Sequence, residues 1–276
     1  MAKQFAVVLT LLLCFATSPA FRSLSSKKAN LKEETGAKPN SSSGRILAID
    51  GMQVVLVDRE SKAILWRTLK LRGAGSLELL PNGEYLVAER KYLARIDKDG
   101  YLIARSRATF GFLTDIKRLD NDRMLISDQA AKTVAEVNWE GKVSWSIGSL
   151  RSPSEAVRLS NGNTLVADGS PILKEFDAEK KIVRSIRLRR DAFSIQLVAE
   201  GFMVGERRAV EFLDKSGGVT WTYELNSRVT SVQRISEDEY LISEPDDGKI
   251  EIITSGGYVK WELNGLSFPW QALYVG

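Results

Sequence analysis

Apolar residues in this chain come in short runs, not at the three-to-four spacing of an amphipathic helix. "RILAID" (45–50), "EYLVAE" (84–89), "RMLISD" (123–128), "NTLVAD" (163–168), "FMVGE" (202–206) and "EYLISE" (239–244) each carry an apolar centre and end on an acid. Runs of this length, bounded by turn residues and rich in branched side chains, read as strands. The closing acids are Asp50, Glu89, Asp128, Asp168, Glu206 and Glu244, spaced 39, 39, 40, 38 and 38 residues apart. Self-similarity at a fixed period of this size is the signature of a repeat architecture.

Each unit holds four such segments. In the fourth they are "EAVRL" (155–159), "NTLVAD" (163–168), "ILKEFD" (172–177) and "KIVRSIRL" (181–188). Turn residues separate them, and four units place glycine at the third turn: Gly100, Gly141, Gly217 and Gly257. Tight hairpins want positive φ there, which glycine supplies without steric cost. Four strands per unit of about 40 residues describe a propeller blade. The chain is therefore expected to be all-β, a six-bladed β-propeller with four antiparallel strands per blade over residues 44–276. First strands begin at Ser76, Asp115, Glu155, Ser194 and Ser231, and the sixth copy, "QALYV" (271–275), comes last. The N-terminal blade starts with a second strand instead. Pairing the C-terminal strand with that blade closes the ring and removes free sheet edges.

Tryptophan follows the same register. Trp66, Trp145, Trp221 and Trp261 fall at one position of the fourth strand, with Arg105 and Arg184 expected there in the other two blades. A large ring at a recurrent position is expected to pack blade on blade.

The first 20 residues read as a signal peptide. Lys3 is a short basic start, Phe5 to Ala16 is apolar, and Ser18 and Ala20 are the small residues of a cleavage site. Twelve apolar residues reach about 18 Å as a helix, too short to span a bilayer core of about 30 Å. Residues 21–43 are polar and Ser/Lys-rich, a flexible linker. A secreted or periplasmic protein without a membrane span is expected. Cys14, the one cysteine, lies inside the signal. The mature chain then has no disulfide and no thiolate metal site. The formal charge of +4 is weak when spread over 276 residues. It gives no argument for nucleic acid, which wants a basic face. "KKIVRSIRLRR" (180–190) reads as a solvated outer strand.

"VDRESKAILW" (57–66) and "VNWEGKVSW" (137–145) resemble the repeats of PQQ-type, quinoprotein-like propellers. "LPNGEYLVAE" (80–89) and "LSNGNTLVAD" (159–168) are similar to strand pairs of NHL-like six-bladed propellers. The resemblance covers about residues 45–276 and implies the fold. It does not imply an activity, because a fold hosts many functions. Arylsulfotransferase-type and streptogramin-lyase-like propellers act through histidine, and this chain has none. Quinoprotein dehydrogenases are eight-bladed. The gluconolactonase group implies one divalent metal held by Glu, Asn and Asp around the channel, a role open to Glu155.

In a propeller the first strands begin, and the second strands end, at one mouth of the central channel, a natural ligand site. The residues expected there are Asp115, Glu155, Glu89, Asp128, Asp168 and Glu206, with Arg90 and Arg207 beside them. Such an acidic collar suits a hard cation such as Ca²⁺ or Mg²⁺, or a cationic peptide. Alternatively each acid caps its own loop by accepting backbone N–H bonds. Asp115 and Glu155 break the symmetry of the repeat, since the other first strands start with Ser or Gln, and are the candidates for a metal. No nucleophile motif, P-loop or dinucleotide fingerprint occurs. The expected function is an exported, non-catalytic, monomeric propeller binding a protein, peptide or glycan at the channel mouth. The alternatives are a metal-dependent hydrolase or lactonase of the gluconolactonase type, and a PQQ-like cofactor-binding protein.

Overall fold

Strand residues alternate between two faces of a sheet, and in this chain both faces are apolar. Ile46 and Ala48 point one way from the strand Arg45–Asp50, Leu47 and Ile49 the other, and all four are fully buried. The computed structural model explains why. It describes residues 44–276 apart from 69 and 121, so the leader and linker lie outside the described residues. Six sheets stand around an axis, and each packs both faces against its neighbours. Ile46 and Ala48 join a hydrophobic cluster with Leu241, Ile250 and Ile252 of the sixth blade. Leu47 and Ile49 join another with Leu77, Val87 and Ile96 of the second. Six such clusters fill the six gaps between blades.

The all-β, six-bladed architecture is as expected. Among the described residues the one helical element is the short 3-10 turn Pro245–Asp247. The first blade takes Arg45–Asp50, Gln53–Asp58 and Ile64–Arg67 from the N-terminal side, and Pro269–Tyr274 from the C-terminal side. That closing strand lies antiparallel to Arg45–Asp50, with Leu273 opposite Leu47 and Ala272 opposite Ala48. In the fifth blade Gly201–Asp214 serves as both second and third strand. Its first part pairs with Ala192–Val198 and its second with the long outer strand Val219–Arg228. Arg208, at the bend, adopts φ 74°.

Trp145, Trp221 and Trp261 each donate from Nε1 to a turn carbonyl of the following blade, those of Ala178, Ser255 and Arg59. Arg184 reaches the equivalent carbonyl of Lys215 at 2.6 Å. The recurrent position therefore does lock blade to blade. One assignment needs correction. In the second blade the position belongs to Ala104, opposite Arg95, as Trp66 is opposite Leu56. Arg105 stands one residue further on, in register with Arg67. It turns to the strand-ending acid Glu89, as Arg67 turns to Asp50.

Candidate functional site

The first strands of neighbouring blades belong to separate sheets, so their backbones do not pair across the channel. Side chains bridge them instead. Gln271 accepts from the Leu77 N–H (2.7 Å), Glu78 from Arg118 and Asp115 from Ala156 (3.2 Å). Glu155 accepts from Ile195 (3.1 Å), Gln196 from Arg234 (2.5 Å) and Gln233 from Tyr274 (2.6 Å). Every blade junction has one carboxylate or carboxamide taking a backbone N–H from the next blade. Asp115 and Glu155 are thus two members of a ring of acceptors whose other members are Gln and Glu.

These two carboxylates do come together, in a central cavity of about 200 Å³. Between them lies Lys117, whose ammonium is 3.1 Å from Asp115 Oδ1 and 2.7 Å from Glu155 Oε1. Ser76 also donates to Asp115 Oδ1, at 3.0 Å. All four carboxylate oxygens therefore have a donor. Burial opposes the charge on Lys117, but Asp115 and Glu155 outweigh it and raise the lysine pKa. Burial pushes Glu155 up to about 7, against the pull of Lys117 and with the push of Asp115. Lys117 was legible in the sequence: a strand repeats its facing every second residue, and Lys117 follows Asp115 by two.

This arrangement does not fit the divalent metal that the gluconolactonase resemblance implies. An ammonium already occupies the place between the carboxylates, and no asparagine lines the cavity. Among the described residues no group of three or more acids could hold a metal ion. The chain's own Lys117 thus occupies the place where a metal was expected between Asp115 and Glu155.

The collar acids lie elsewhere. Glu89, Asp128, Asp168 and Glu206 are buried beneath the loops and do not line the central cavity. Most do cap loops. Asp50 accepts from the N–H groups of Ser267 and Phe268. Asp128 accepts from Gly111, Phe112 and Ala131. Glu89 takes the Arg72 N–H and both nitrogens of a bidentate Arg105. Asp168 takes the Ser170 hydroxyl and Lys174. Burial raises its carboxyl, but these two partners hold it below the usual range.

Glu206 and Glu244 break this pattern. Glu206 faces Glu211, and no backbone group or other side chain donates a hydrogen bond to their four oxygens. The contact nearest to an ion pair is Arg189 Nε, 4.0 Å from Glu211 Oε1. Burial and the facing Glu211 push the Glu206 carboxyl up to about 8. Glu244 shares Lys249 with Glu251 and is pushed up to about 7 by burial.

The channel mouth carries different residues. Arg90 stacks on Phe112, and Arg207 on Phe193. Arg228 lies over Phe193, Phe268 and Trp270 at 5.5–5.8 Å. Phe268 and Trp270 stack on each other at 5.9 Å. Arg90, Phe112, Phe268 and Trp270 border a hollow of about 170 Å³ at the mouth. Arg90 and Arg207 were expected in this region. Phe193, Arg228, Phe268 and Trp270 were not, because they fall outside the repeated motif.

No protein-family model matches this sequence, and no curated protein matches it. Solved structures match the fold. A protein of unknown function from Bacteroides caccae has 18% identity and a TM-score of 0.69, covering 84% of this chain and 99% of that one. A chain from a nidogen/laminin complex has 11% identity and a TM-score of 0.65, covering 83% and 97%. Virginiamycin B lyase from Staphylococcus aureus has 13% identity and a TM-score of 0.57, covering 82% and 86%. At these identities the likeness is one of fold alone.

Proposed function

We propose that this chain is an exported, non-catalytic propeller that binds a protein, peptide or glycan at its channel mouth. One observation carries the reading. The ionisable groups of the channel satisfy one another, whereas the mouth presents aromatic rings and arginines around an open hollow. Aromatics and Arg are the side chains that dominate binding surfaces. A chain of similar fold from a nidogen/laminin complex supports, by analogy of fold, a role in assembly. The leader pattern of residues 1–20 supports export. A lyase or lactonase reading lacks support, since there is no histidine and Lys117 stands in the metal position.

The test is a panel of immobilised peptides and glycans against three proteins. These are the native chain, Arg90→Glu with Phe268→Ala, and Asp120→Lys with Glu140→Lys on the opposite face. A ligand that the native chain and the second variant retain, and that the mouth variant binds roughly tenfold more weakly, about 1.4 kcal/mol, is the expected result. Metal-dependent turnover of a lactone or phosphoester, abolished by Glu155→Ala, overturns the reading.

A further inference from the structure

We infer that the mouth binds an anionic polysaccharide, one carrying carboxylate or sulfate groups; this rests on the mouth-binding reading above. The argument begins with which loops share a face. The links between second and third strands are hydrogen-bonded to the links between blades. Phe110 N–H donates to the Lys91 carbonyl, Leu150 to Lys132, Arg207 to Asp191 and Leu266 to Gly248. All these segments therefore rim one mouth, and the remaining turns lie on the opposite face.

Charge divides unevenly between the two faces. Against ten exposed Lys and Arg residues, the mouth segments carry three exposed acids, Asp246, Asp247 and Glu224, the last paired with Arg190 at 2.8 Å. The opposite turns expose nine acids and six lysines. Residues 44–276 carry 33 Lys and Arg against 33 Asp and Glu, so the formal +4 lies in residues 1–43, and the expectation of a weak charge spread along the chain is corrected: the propeller is neutral in sum and divided between its faces. The face alternates with each turn along the chain, so the two charges interleave in sequence.

The basic residues form an arc. It runs from Arg72 and Arg90 through Arg107 and Arg151 to Arg207 and Arg208, all exposed. It stops at the sixth blade, where Asp246 pairs with Arg228 at 2.7 Å. Within the arc Asp191 pairs with Arg207 at 3.3 Å and lies 3.8 Å from Arg151; the positive charge that remains suits a linear polymer with regularly repeated anions. Most members are Arg, whose planar fork matches carboxylate and sulfate oxygens two at a time. The hollow beside Trp270 is smaller than the roughly 300 Å³ at which small-molecule pockets begin. One ring of a polymer enters it and stacks on Phe268 and Trp270 while its neighbours stay on the surface. Duplex nucleic acid is disfavoured, since among the described residues the mouth links hold no helix longer than the three-residue turn Pro245–Asp247 to enter a groove.

The experiment measures binding of the purified protein to polygalacturonate and dextran sulfate. Neutral dextran, single-stranded DNA and poly-glutamate are the comparators. Expected is affinity for at least one anionic polysaccharide at least roughly tenfold above that for dextran, DNA and poly-glutamate, falling at least roughly tenfold between 0.05 M and 0.5 M salt. Arg90→Glu, Arg207→Glu and Arg208→Glu combined should cost a similar factor. Asp120→Lys with Glu140→Lys should cost nothing. Circular dichroism verifies folding; if the triple variant is unfolded, the exposed single change Arg90→Gln replaces it with a smaller loss.

Equal binding to dextran, or tighter binding of DNA or poly-glutamate, overturns the anionic-polysaccharide inference. The mouth-binding reading survives that result if the arginine variants still weaken whichever ligand binds. Polysaccharide binding that survives the arginine changes but is lost in the opposite-face variant overturns both.

Discussion

Glu206 and Glu211 form a buried acid pair with no donor but the proton they share, and pH should expose its cost. The folded pKa of Glu206, about 8, lies above the 4.5 of an ordinary glutamate. The folded state therefore holds more protons than the unfolded chain between these values, and stability falls as pH rises through that window. Glu211→Gln removes the facing charge and supplies an amide donor. At pH 8 its Tm should exceed that of the native protein by about 2–4 °C, the shift that about 1 kcal/mol gives a domain of this size. Near pH 4.5 the two should converge. Scanning calorimetry at both values decides it, and a pH-independent difference would sink the explanation. The sequence marked Glu206 as one of six equal acids. It could not show that this copy lacks the loop N–H groups that Asp128 enjoys, because two of those, from Gly111 and Phe112, come from the link that enters the blade some sixteen residues earlier. The sequence singled out Asp115 and Glu155 by their departure from the repeat; the structure brings them together across Lys117 and gives both a place in the ring of acceptors.

Strands and blades were the most legible level, because period-two patterning, turn glycines and a repeat near 39 residues all point the same way. What escaped was local register. A one-residue offset put Arg105 where Ala104 stands, and a strand changes face with every residue. The contact that replaces the missing ring is visible in the third blade. Trp139 packs against the cluster between the second and third blades from the turn that Ala104 leaves uncovered. Where the ring is present it should matter energetically. Trp145→Ala loses both packing and the bond to the Ala178 carbonyl, and we expect a destabilisation of about 2–4 kcal/mol in urea unfolding. A cost below about 0.5 kcal/mol would mean that the blades hold together without this contact.

At the scale of the molecule, closure is the feature on which the rest depends. The strand Pro269–Tyr274 covers one edge of the first blade and brings two members of the circumferential contacts, Gln271 and the Tyr274 N–H. Deleting residues 269–276 should expose a long apolar edge and remove the floor of the mouth at Trp270. The truncated chain is expected to aggregate on size-exclusion chromatography, whereas a monomeric, cooperatively melting product would show that the ring does not need its seam. The seam was legible from strand counting. The two charged faces were not, for the chain visits them alternately. Their separation has a kinetic consequence. A disc with opposite charge on its two sides carries a dipole along its axis, and such a field acts before contact, over roughly a Debye length, about 8–10 Å at physiological ionic strength. Near a negatively charged polymer the molecule is turned mouth-first during diffusion, so fewer encounters are wasted on the wrong side. Salt should then slow the association rate more than it speeds dissociation.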